Sequence, residues 1–114
     1  MNGIGHAKQT RPFKPVTQIA LCCWLGQAGP GDVFEYHRGF LGIDLTPFGN
    51  PMSSKARAEL ARTGARAYDL AERGFVHLVQ RRVGPDTFAY LAIARPRIGP
   101  TPIPFETLMS EEAA

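Results

Sequence analysis

From Val16 to Arg95 the spacing of apolar residues alternates between helical and strand-like periods. Thr17 to Gln27 reads Thr-Gln-Ile-Ala-Leu-Cys-Cys-Trp-Leu-Gly-Gln, with no charged residue. This predicts a helix capped by Thr17 and stopped in the segment Gly26 to Gly31. A helix that is apolar nearly all round is either central to a core or half of an interface, so Ile19, Leu21 and Trp24 are candidate anchors of one or the other.

Val33 to Asp44 alternates with a period of two. If Arg38-Gly39 is a two-residue loop, Tyr36 opposes Leu41 and Phe34 opposes Ile43, which predicts a hairpin with one apolar face. Its other face carries Val33, Glu35, His37, Phe40 and Asp44. Thr46 to Met52, with Pro47, Gly49, Asn50 and Pro51, reads as a loop, and Ser53 or Ser54 is placed to cap the next helix.

That helix runs to Arg73. Ala56, Leu60, Thr63, Ala67 and Leu70 recur at steps of four and three as a buried stripe, with Arg62, Arg66, Asp69 and Arg73 on the opposite side. Gly64, inside the helix, suggests close approach of a neighbouring backbone, and Gly74 suits the left-handed residue that ends a helix. Phe75 to Val83 and Thr87 to Arg95 then flank Gly84-Pro85-Asp86 as a second hairpin. A loop of two or four residues opposes Leu78 with Leu91 and Val76 with Ile93, and this register is preferred because it turns one clean apolar face to the preceding helix, leaving His77, Val79, Arg81, Phe88 and Tyr90 together on the other face. A three-residue loop would instead pair Arg82 with Phe88 and Gln80 with Tyr90.

The expected fold is therefore α+β, in the order helix, β-hairpin, long helix, β-hairpin, and winged-helix-like. Residues 16–95 form its one domain. Residues 1–15, with Lys8, Arg11 and Lys14 and no acid, read as a flexible basic arm. In residues 96–114, prolines at 96, 100, 102 and 104 favour an extended tail that offers Ile98, Ile103 and Phe105 to a groove of the body or of a partner.

The 44% apolar and 20% charged content lies outside the range of disordered chains. Adjacent Cys22 and Cys23 point about 100° apart on a helix, so they read as buried thiols that neither bridge nor share a metal. With no membrane-length apolar run and no secretory-type apolar segment, the expected setting is the cytoplasm, without a membrane partner. The net charge of +3 permits nucleic-acid contact without requiring it.

A long helix followed at once by a basic hairpin is how winged-helix proteins end, with the helix in the major groove and the hairpin on the backbone. On that reading Arg62, Arg66, Arg73, Arg81 and Arg82 contact nucleic acid. Lys8, Arg11 and Lys14 add to them from the arm, and His77, Phe88 and Tyr90 provide a stacking surface. The bland alternative is a solvated face whose arginines pair with Glu59, Asp69 and Glu72. Glu35, His37 and Arg38 suggest a nuclease, but the trio is consecutive and has no second acid-base partner at a confirming distance, so no enzyme is expected. No cofactor is expected, and no spacing of His or Cys suits a metal.

The segments Pro30-Gly-Asp-Val-Phe-Glu-Tyr-His-Arg-Gly-Phe-Leu and Gly74-Phe-Val-His-Leu-Val-Gln-Arg-Arg, with Phe88-Ala-Tyr-Leu-Ala, resemble a group of short uncharacterised proteobacterial and prophage-type proteins. The resemblance spans roughly residues 17–95 and implies a phage or mobile-element context. In that context the expected roles are a nucleic-acid-binding transcriptional regulator, with the Thr17–Gln27 helix as a homodimer seam, or a non-enzymatic inhibitor that binds a host protein.

Overall fold

The computed structural model describes residues 16–47, 52–97 and 103–110. Its elements are α1 (Gln18–Gln27), β1 (Val33–Gly39), α2 (Leu41–Asp44), α3 (Ser54–Glu72), β2 (Val76–Gly84), β3 (Thr87–Ala94) and α4 (Phe105–Met109). The fold is α+β, with four helices and one three-stranded antiparallel sheet among the described residues.

Local signals start and stop the two longer helices. The Thr17 hydroxyl accepts from the Ala20 amide at 3.1 Å, and the Ser53 hydroxyl accepts from the Ala56 amide at the same distance. Gly74 takes a φ of +86° and turns the chain from α3 into β2. Leu60, Thr63, Ala67 and Leu70 of α3 are buried as their spacing predicts, and Leu21, Cys22 and Leu25 of α1 are buried with them.

The first predicted hairpin does not form. β1 pairs with β3, and the residues expected to be its return strand coil into α2. Asp44 accounts for the coil: its Oδ2 accepts the Phe40 amide at 3.0 Å, while the Ile43 and Asp44 amides donate to the Phe40 carbonyl. A bulge at Tyr36 then shifts the register, so Glu35 opposes Leu91 but His37 opposes Tyr90. Tyr36 and His37 are both buried as a result, although they are neighbours in a strand.

The second hairpin forms, but not in the preferred register. Pro85 and Asp86 make a two-residue turn in which Asp86 adopts a φ of +51°, a conformation Asp tolerates. A bulge at Val83 displaces the pairing by one residue, so Arg82 opposes Phe88, Gln80 opposes Tyr90 and Leu78 opposes Ala92. β3 is central, in the order β1, β3, β2. Its side chains at Tyr90, Ala92 and Ala94 face the helices; Ala89, Leu91 and Ile93 point to the other side.

Three smaller expectations are also corrected. Among the described residues, no atom from outside this stretch of the helix lies within 4 Å of where a Gly64 Cβ would stand, so no described neighbouring backbone approaches that glycine. Cys23 is exposed, and only Cys22 is buried, with its thiol pKa pushed up by that burial. The tail is not simply extended. α4 forms directly after Pro104, Ile103 and Leu108 are buried against the body, and the Ile103 amide donates to the Gly26 carbonyl at 3.1 Å. Gly26 suits this approach: a Cβ there would sit 3.1 Å from the Ile103 carbonyl oxygen, and the tail would have to give by a few tenths of an ångström. Phe105 remains exposed, and Ile98 lies outside the described residues.

Candidate functional site

At 100° per residue, Lys55, Arg62, Arg66 and Arg73 fall within about 40° of one another on α3 and make one basic edge. Lys55 completes it at the N-terminal end. It is not among the residues predicted to bind, although its spacing from Arg62, Arg66 and Arg73 carries the signal. Lys55 and Arg62 are exposed, and Arg62 pairs with Glu59 at 2.8 Å. The hydrogen bond from Arg62 holds the Glu59 carboxyl below its ordinary pKa.

Arg66 and Arg73 behave differently. Their side chains are only 11% and 10% exposed, and both bond Asp69, at 3.1 and 2.9 Å. Arg66 also reaches Gln18 Oε1 at 3.3 Å, the Leu108 carbonyl at 3.4 Å and the Ser110 carbonyl at 3.2 Å. Arg73 donates to the carbonyls of Thr107 and Leu108 and lies over the Phe75 ring, 5.3 Å from its centroid. These two arginines grip the C-terminal end of α4, whose last carbonyls have no helical partner. As the molecule stands they do not face solvent as a nucleic-acid surface would.

Arg81 and Arg82 are adjacent in β2 and point to opposite sides of the hairpin. Both are exposed, and neither pairs with a described carboxylate. Arg82 Nε reaches only the Gly84 carbonyl, at 3.3 Å. Their chemistry is that of two cations flanking a rigid ribbon, available to phosphate oxygens.

The expected stacking surface is divided by the sheet. His77 and Arg81 lie on the face away from the helices, with Val79 between them. Phe88 and Tyr90 lie on the helix side. Tyr90 is buried, and its hydroxyl accepts the Leu41 amide at 2.9 Å; Phe88 meets Phe40 edge-on at 5.9 Å. The one-residue shift from the Val83 bulge is the physical reason.

The nuclease trio is divided too. Glu35 bonds Arg38 through both carboxylate oxygens, at 2.8 and 2.9 Å, on the face away from the helices. His37 turns inward, where its Nε2 lies 2.7 Å from Asp44 Oδ2. Asp44 is a partner that spacing does not reveal, since the predicted hairpin places it in a strand. Of the apolar anchors, Leu21 is fully buried, Trp24 is half-buried and stacked on Phe34 at 5.2 Å, and Ile19 is 56% exposed. Lys8, Arg11 and Lys14 lie outside the described residues.

Among the described residues, no group of three His, Cys, Asp or Glu side chains is placed to hold a metal, and no helix is long and apolar enough to cross a membrane. No family model matches the chain, and comparison with curated proteins and with solved structures returns no match.

Proposed function

We propose that the protein is a small winged-helix-like regulator that binds duplex nucleic acid through α3 and the β2–β3 hairpin. The observation that carries this reading is the hairpin itself: Arg81 and Arg82 flank it on opposite sides, exposed and in ion-pair contact with no described carboxylate. Support also comes from the short helix α2 ahead of α3, from β1 beside the hairpin, and from the exposed Lys55 and Arg62 on the edge of α3. One departure is the stretch 45–53 between α2 and α3, where a winged helix has a tight turn. The test is duplex binding by fluorescence anisotropy: Arg81→Ala/Arg82→Ala should weaken binding for every duplex sequence alike, and unchanged affinity would contradict the reading.

A second reading, a protein-binding inhibitor, is favoured by one observation. The sheet face away from the helices exposes Val33 by 53% and Val79 by 40%, apolar side chains where an antiparallel sheet usually presents polar ones. Val79→Ser separates the two readings, because it removes an apolar contact without adding charge beside Arg81: it should weaken a protein partner's binding and leave duplex binding intact.

A further inference from the structure

We infer that residues 103–110 are an autoinhibitory strap over the basic edge of α3, an inference that rests on the nucleic-acid reading of that edge. Arg66 and Arg73 share it with Lys55 and Arg62, yet their guanidinium groups are taken up by Asp69 and by the carbonyls of Thr107, Leu108 and Ser110. Carbonyl oxygens and phosphate oxygens are both acceptors for the same donor fork, so the strap and a nucleic-acid backbone compete for the same two side chains.

The strap is also built to open. Ile103 and Leu108 are its buried side chains, while Pro104, Phe105, Glu106, Thr107 and Ser110 are exposed. α4 has five residues, too few to persist as a helix once detached. The anchors Ile103 and Leu108, the half-buried Met109, the Ile103–Gly26 backbone bond and the guanidinium groups of Arg66 and Arg73 hold eight ordered residues at one edge of the body, so the segment opens locally before the core does. Opening returns two cations to an edge that otherwise displays Lys55 and Arg62.

Two measurements on the full chain test this with one short mixed-sequence duplex at low salt. By hydrogen exchange, saturating duplex should remove protection from the amides of 105–110 while those of α1 keep theirs. By anisotropy, Leu108→Ala should bind on the order of tenfold tighter than wild type, and adding Arg66→Ala and Arg73→Ala should cancel the gain. Wild type that binds duplex with its strap amides equally or better protected overturns the inference. So does a Leu108→Ala variant of unchanged helix content that binds no more tightly. If Leu108→Ala does not fold, the wild-type exchange result decides alone. Absence of duplex binding by every form is a different outcome, since it removes the nucleic-acid reading and the strap's competitor with it.

Discussion

The His37 ring and the Asp44 carboxylate meet at 2.7 Å across the corner where β1 gives way to α2. The same Asp44 oxygen accepts the Phe40 amide, so one carboxylate fixes both the buried imidazole and the first turn of α2. Gly39 stands between them with a φ of +148°, and a Cβ there would collide with Asp44 Oδ2. The corner is a structural lock, which explains a strand-like sequence that does not continue as a strand.

Breaking the lock should be costly. Asp44→Ala removes an acceptor from a buried ring and from a backbone amide, an expected loss of about 1–3 kcal/mol. Urea unfolding measures it, and a midpoint equal to wild type would show that the corner holds without the pair.

Gly64→Ala should act in the opposite direction. Among the described residues no atom from outside this stretch of α3 lies within 4 Å of the added methyl, and a mid-helix glycine sacrifices chain entropy, so a gain of about 0.4–1 kcal/mol is expected. Chemical denaturation reads the sign directly; a loss of stability would mean that α3 has a close neighbour at this position.

Leu70 and Leu108 are both fully buried but should respond differently to truncation. Leu70→Ala leaves a cavity in the helix layer and should cost about 2–5 kcal/mol. Leu108→Ala can detach the strap instead of leaving a cavity, so its cost is capped by the strap's own docking energy. Equal losses in thermal or denaturant unfolding would show that 103–110 unfolds only with the core.

Glu35 gives a pH prediction. The hydrogen bond from Arg38 holds its carboxyl below the ordinary 4.5, against the opposing effect of burial, and the charges of Arg38 and of Arg81 across the sheet add to the lowering. The unfolded chain therefore takes up this proton first as pH falls. The stabilisation is fully present above about 4.5 and is lost as pH drops through the lower folded value. Glu35→Gln should be slightly less stable than wild type at neutral pH and should converge on it in acid. The difference is small because the pair is solvent-screened. A gap that widens in acid would contradict the assignment.

Local chemistry was legible in the sequence, and long-range pairing was not. Thr17, Ser53 and Gly74 marked helix ends, and the stripe from Leu60 to Leu70 marked the buried side of α3. The partner of β1 was hidden because Phe40 to Asp44 alternates as a strand would, and only the contact of Asp44 with Phe40 and His37 makes it coil. The register of the second hairpin turned on a bulge at Val83 that leaves no mark in the hydrophobic pattern. Arg62, Arg66 and Arg73 look equivalent by helical periodicity. They are separated by α4, whose anchors Ile103 and Leu108 follow a proline-rich run that reads as irregular.

The salt dependence of duplex affinity tests the central claim most directly. A protein that holds phosphates through Lys55, Arg62, Arg81 and Arg82 should lose affinity linearly in log K against log salt, by about 0.9 per phosphate neutralised. Arg81→Ala/Arg82→Ala should flatten that slope by about 1.8. Duplex affinity that does not vary with salt, or a slope untouched by removal of the two hairpin arginines, would contradict it.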